Sequence, residues 1–180
     1  MINIHPARLF QLNEQGKGAL LRQTKHFEET SELAEAVVCQ HAPEKILGEA
    51  IDGLLMLLSI GADYCTAEEF ADFMPSIIQS SLYKHWNEWQ PLTDNINPLE
   101  VALATLQYIS TLQYITTSIQ RHEGVASSQY KGLADSQSII DGVITSIDNL
   151  FLVMVLVPQD EGLLQQIYNE KMDKWEKVSK

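Results

Sequence analysis

Glu28, Glu29, Glu32, Glu49 and Asp52 are the residues whose types and spacing could do chemistry. A separation of three puts Glu29 and Glu32 on one face of a helix, and does the same for Glu49 and Asp52. Between His26 and Asp52 stand seven acids and a single base, Lys45; that stretch carries −6 of the chain's formal −12. The surroundings are apolar: Phe27, Leu33, Ala36 and Val37 beside the first pair, Ile46 to Leu58 around the second. Carboxylates converging on such a seam repel one another and lose hydration, at several kcal/mol per buried ion unless something compensates. Oxygen ligands of this kind suit hard divalent cations, Mg²⁺ first and Mn²⁺ as a substitute. A di-iron carboxylate site would need Glu-x-x-His, and none of the five histidines has Glu three residues before it. Taken alone, Glu28 to Glu32 reads as a solvated helix face; the second pair on the next helix favours a site.

Helices must position these groups, and the expected fold is all-α, a bundle of about six helices. The first is expected from Gly18 to Gln40. His41-Ala42-Pro43 breaks it, and Pro43 opens a second helix to Ile60. Gly61 to Cys65 reads as a turn. Thr66-Ala67-Glu68-Glu69 is a capping box for a third helix to Trp89, with a kink expected at Pro75. Gln90 to Asn97 reads as a linker. Asn97-Pro98-Leu99-Glu100 caps a fourth helix to Gln120, Arg121 to Gln129 is a loose connection, a fifth helix reaches Val157, and a sixth follows Pro158-Gln159-Asp160 to Val178. Ala50 to Leu55 resembles Ser146 to Phe151, and two sets of three helices suggest a degenerate tandem repeat. The expected division is 1–90, a linker at 91–97, and 98–180.

Composition narrows the partners. With 12 Lys+Arg against 24 Asp+Glu the chain is a poor binder of polymeric nucleic acid, whose affinity comes from basic side chains on phosphates. Anionic membranes are equally poor partners. The longest apolar run, Leu150 to Val157, is too short to span a bilayer. Cys39 and Cys65 lack the spacing of a zinc site and read as idle thiols in a reducing compartment. The first residues do not read as a signal peptide. A cytoplasmic protein is expected.

The string Lys25 to Ala36, followed by Leu47 to Leu55, resembles the MazG-like all-α nucleoside triphosphate pyrophosphohydrolases, relatives of the dimeric dUTPases. Their signature is ExxE, a variable gap, then ExxD, and Glu29, Glu32, Glu49 and Asp52 fill the four places. The resemblance spans about residues 17–64. It implies repeats of a three-helix unit, Mg²⁺ at those four carboxylates, and cleavage of a nucleoside triphosphate to its monophosphate and pyrophosphate. Glu28 or Glu32 would orient the attacking water. The segment around Gln11 is similar to one that reads the base in dimeric dUTPases, and Asn169, Lys171, Lys174 and Trp175 are similar to a helix that follows ExxD in many relatives. Lys25 and Lys84 are further candidates for phosphate, and Trp86, Trp89 or Trp175 for stacking on the base.

In the second half Thr145 stands where Glu49 would, opposite a retained Asp148, and the helix from Leu99 has no ExxE. One active half, completed by an acid-free half, is therefore expected. A homodimer is expected, or a pseudo-dimer closed within one chain. Glu49→Gln or Asp52→Asn is expected to abolish hydrolysis while preserving or raising apo stability. The alternative is a non-catalytic helical module that binds nucleotide or a regulatory partner.

Overall fold

The computed structural model describes residues 2–14, 19–89, 97–124, 135–159 and 162–178. Most of the expected linker, most of the loose connection before Gln129, and Asp160 lie outside the described residues. Among the described residues there are seven helices and no strand: α1 (Pro6–Glu14), α2 (Ala19–Val38), α3 (Pro43–Asp63), α4 (Ala67–Trp89), α5 (Pro98–His122), α6 (Ser136–Leu156) and α7 (Leu163–Val178). Six answer to the expected ones. The seventh, α1, is a nine-residue helix too short for periodicity to announce. It begins at Pro6, buries Leu9 beside Ile2 and Ile4, packs on α3 and α4, and is tied to α7 by Arg8, which reaches Asp173 and Glu176 at 2.7 Å each.

The helix ends follow from side-chain chemistry. At α4 the capping box is reciprocal: the Glu69 amide donates to Thr66 Oγ1 (3.2 Å) and the Thr66 amide donates to Glu69 Oε2 (2.8 Å). Asn97 accepts from the Leu99 amide at 3.0 Å, with Pro98 in the first turn of α5. α4 runs on through Pro75. α2 closes with the His41 amide on the Ala36 carbonyl (2.9 Å) and the Gln40 amide on Val37 (3.1 Å), a Schellman pattern. Gln40 takes the left-handed position, φ 52°, where a Cβ is unfavourable. Gln40→Gly should therefore raise stability by about 0.5–1 kcal/mol in urea unfolding; a lowered midpoint would contradict this.

The turn expected from Gly61 begins three residues too early, because α3 continues to Asp63. Gly61 serves packing instead: a Cβ there would stand 3.3 Å from Met74 Cε and 3.5 Å from Val143 Cγ1.

α3 and α6 form the centre and pack on each other, buried along most of their length. By length and composition α6 could cross a bilayer, with mean hydropathy 1.9 over eighteen residues, but 67% of that window is buried inside the protein. The eight-residue run from Leu150 understates this helix, because polar residues interrupt the run without ending the apolar faces. Around the centre, α2 packs on α3 and α5 on α6, α2 meets α5, and the last helix of each half crosses over: α4 packs mainly on α6, and α7 on α3. This pairing is unchanged when α2-α3-α4 is exchanged for α5-α6-α7. The crossed helices even end in matching contacts. Lys171 of α7 pairs with Asp52 of α3, and His85 of α4 sits 3.1 Å from Asp148 of α6. His85 Nε2 makes no hydrogen bond there; Ser81 Oγ donates to the same carboxylate at 2.5 Å.

Candidate metal centre

The tight turn after Gln40 returns the chain antiparallel, so the inner faces of α2 and α3 meet along their length. Glu29 and Glu32 from α2 and Glu49 from α3 each bring a carboxylate oxygen to within 4.8 Å of the others. Glu29 is 7% exposed and Glu49 4%, so two of the three charges are withdrawn from water. Glu32 lies at the open edge. Its carboxyl is pushed above the usual range by partial desolvation and by the negative charges of Glu29 and Glu49.

Asp52 departs from expectation. It does not join this trio; it turns to the Lys171 ammonium, which crosses from α7. Gly48 lies beside Lys171, where an added Cβ would make ordinary contact with Lys171 Cε at 3.8 Å. Burial pushes the Asp52 carboxyl up, Lys171 pulls it back, and Glu49 adds to the rise. Removing the Asp52 charge would cost the Lys171 pair but relieve a carboxylate that burial disfavours.

Lysines occupy the remaining acids. Lys25 bridges Glu28 at 3.1 Å and Glu29 at 2.6 Å; desolvation opposes its charge, yet the two carboxylates hold its pKa well up. Lys45 pairs with Glu49, which raises the pKa of the lysine. Lys45 was not singled out from sequence, although its four-residue spacing from Glu49 signals the pair.

Behind the acids lies a buried layer that sequence also did not reveal. His26 Nε2 is 2.6 Å from Tyr108 Oη on α5. Burial keeps the Tyr108 phenol protonated by raising its pKa and draws the His26 pKa down to about 4, so a protonated phenol meets a neutral imidazole. Thr30 Oγ1 donates to the His26 carbonyl at 2.7 Å. Gly53 leaves the space that the tyrosine hydroxyl fills, a Cβ there falling 2.9 Å from it. Three helices are thus locked directly beneath Glu29.

The expected substrate residues divide. Lys25 and Lys171 are at the carboxylates, and Lys174 is exposed on α7 and close enough to act electrostatically on Asp52. Lys84 instead faces Asp148, 3.8 Å away. Trp86 and Trp175 pack partly buried against the core, and the Trp89 side chain is outside the described residues. Asn169 accepts from Gln165 at 2.9 Å on the exposed side of α7. Gln11 is exposed on α1, and no described contact joins it to the carboxylates. Thr145 donates to the Asp141 carbonyl at 2.8 Å, turned to its own helix.

Compared with protein-family models, curated proteins and solved structures, the chain matches none of them.

Proposed function

We propose that this chain is a Mg²⁺-dependent nucleoside triphosphate pyrophosphohydrolase, working on a nucleotide in the cytoplasm. The observation that carries the reading is the meeting of Glu29, Glu32 and Glu49 oxygens within 4.8 Å at a half-dry seam, in the order of the ExxE…ExxD signature. Three oxygens at that separation suit a small hard cation, given a slight inward shift to ligand distances near 2.1 Å, and Mn²⁺ fits the same donors. When bound, such ions neutralise the triphosphate and acidify a water. Glu32 is the better placed of the two candidate bases, because it lies at the open edge of the trio. Glu28 is held by Lys25. Lys25, Lys45 and Lys171 balance the carboxylates in the absence of ions; once released they are free to meet phosphate oxygens. The symmetric crossing of α4 and α7 supports reading residues 98–180 as a degenerate repeat that braces the active half.

A second reading has its own observation. Three lysines already neutralise Glu29, Glu49 and Asp52, as they would in a helical module that binds a nucleotide or a regulatory partner without turnover. The readings part on a panel of standard and modified nucleoside triphosphates, assayed for pyrophosphate with Mg²⁺ and again with EDTA. Release from at least one nucleotide, lost with EDTA, is expected. A Mg²⁺-dependent rise in melting temperature with no release from any nucleotide would favour the second reading.

A further inference from the structure

We infer that His85 and Asp148, with Glu88 beside them, hold a transition-metal divalent ion of the Zn²⁺ class, at a site separate from the carboxylate trio. His85 is 6% exposed, yet neither of its ring nitrogens has a hydrogen-bond partner among the described residues. Whichever nitrogen carries the proton, the buried imidazole uses neither its donor nor its acceptor, and such a group calls for a ligand. Nε2 nevertheless stands 3.1 Å from Asp148 Oδ1. Two donors on one tetrahedral ion, each ~2.0–2.2 Å from it, stand about 3.3 Å apart and point at the ion rather than at each other. His85 and Asp148 have that relation, a close approach without a hydrogen bond. The Asp148 side chain is 34% exposed, which gives an ion its path from solvent. Ser81 Oγ donates to the same Oδ1 at 2.5 Å and orients the carboxylate, as the supporting partner of a ligand does. Glu88 lies one turn beyond His85 on the same face of α4 and is exposed. It is placed to supply a third donor, with water as the fourth.

The matching aspartate of the other half is satisfied differently. At Asp52 the crossing helix brings an ammonium into direct contact. At Asp148 the crossing helix brings the imidazole, and the Lys84 ammonium stays 3.8 Å away on a side chain 57% exposed. Lys84 returns to water at little cost when an ion arrives. An imidazole nitrogen among carboxylate oxygens favours Zn²⁺ or Co²⁺ over Mg²⁺, which prefers oxygen donors. Glu29, Glu32 and Glu49 offer oxygen alone, so excess Mg²⁺ competes at the trio far better than at His85.

Calorimetric titration of the full chain with Zn²⁺, in excess Mg²⁺ throughout, tests the inference. The unaltered chain is expected to bind one equivalent. Asp148→Asn and His85→Gln should each bind it at least ~10-fold more weakly, since even the supporting partners of ligands act on that scale. Lys84→Gln should bind it more tightly, a gain that a merely structural contact between α4 and α6 would not give. Glu49→Gln should match the unaltered chain. Asp148 and Lys84 are both open to solvent, so their variants decide the matter even where His85→Gln does not fold. No Zn²⁺ binding by the unaltered chain, equal affinity in Asp148→Asn, or no gain in Lys84→Gln would overturn the inference. Loss of the bound Zn²⁺ in Glu49→Gln would do so too, by placing the ion at the trio.

Discussion

Glu49→Gln should cut Mg²⁺-dependent pyrophosphate release by about 100-fold or more while the apo protein stays folded. The substitution keeps the shape of a side chain that is 4% exposed and removes one negative charge from the trio with Glu29 and Glu32. On the proposed reading the loss is catalytic, because an amide is a poor ligand where a carboxylate would share a divalent ion. The apo protein loses the Lys45 pair, but that lysine is 55% exposed and returns to water. Relief of repulsion and of buried charge offsets the lost pair, so apo stability should stay within about 1 kcal/mol of the parent or rise. Asp52→Asn should likewise lose activity with little change in apo stability, since relief of a carboxylate disfavoured by burial offsets the lost Lys171 pair. Undiminished turnover in Glu49→Gln would remove that residue from the site.

Acid should destabilise the protein through His26, and the effect should be large. Burial lowers the folded His26 pKa to about 4, while an exposed histidine titrates near 6.5. Between those values the unfolded chain binds a proton that the folded chain refuses. Stability contributed by the neutral imidazole is therefore full above pH 6.5, declines as pH falls, and is gone below about pH 4. The total is about 3 kcal/mol. Glu32 and Asp52 act in the opposite sense. Their folded pKa values are raised, so their contribution is fullest below the ordinary carboxylate range and falls as pH rises through the folded values. Comparing the parent with His26→Gln separates these, since both chains keep the two acids and glutamine can still hydrogen-bond with Tyr108. Urea unfolding at pH 7 and at pH 4.5 should show the parent losing more stability than the variant across the interval. Parallel losses would mean that His26 is not held neutral.

Legibility followed the range of the interactions. Caps and periodicity are local, so Thr66–Glu69, Asn97–Pro98 and the bounds of six helices could be read within a few residues. The convergence of Glu29, Glu32 and Glu49 was legible too, because a short turn between amphipathic helices leaves little choice of packing. What escaped depends on helices far apart in sequence. Lys171 reaches Asp52 because α7 crosses to the other half, and nothing near Asp52 announces that partner. Tyr108 meets His26 through the packing of α5 on α2; from sequence it is one more aromatic at a core spacing. Gly61 read as a turn because a glycine near a helix end has two uses, and close packing won. α1 escaped because nine residues hold too few turns to show a period.

The most direct test of the proposed activity is phosphorus NMR of the products formed from a hydrolysed nucleoside triphosphate in the presence of Mg²⁺. Monophosphate and pyrophosphate in equal amounts, formed with Mg²⁺ and absent under EDTA, are the predicted result. Diphosphate with inorganic phosphate, or no turnover of any nucleotide with either Mg²⁺ or Mn²⁺, would contradict it.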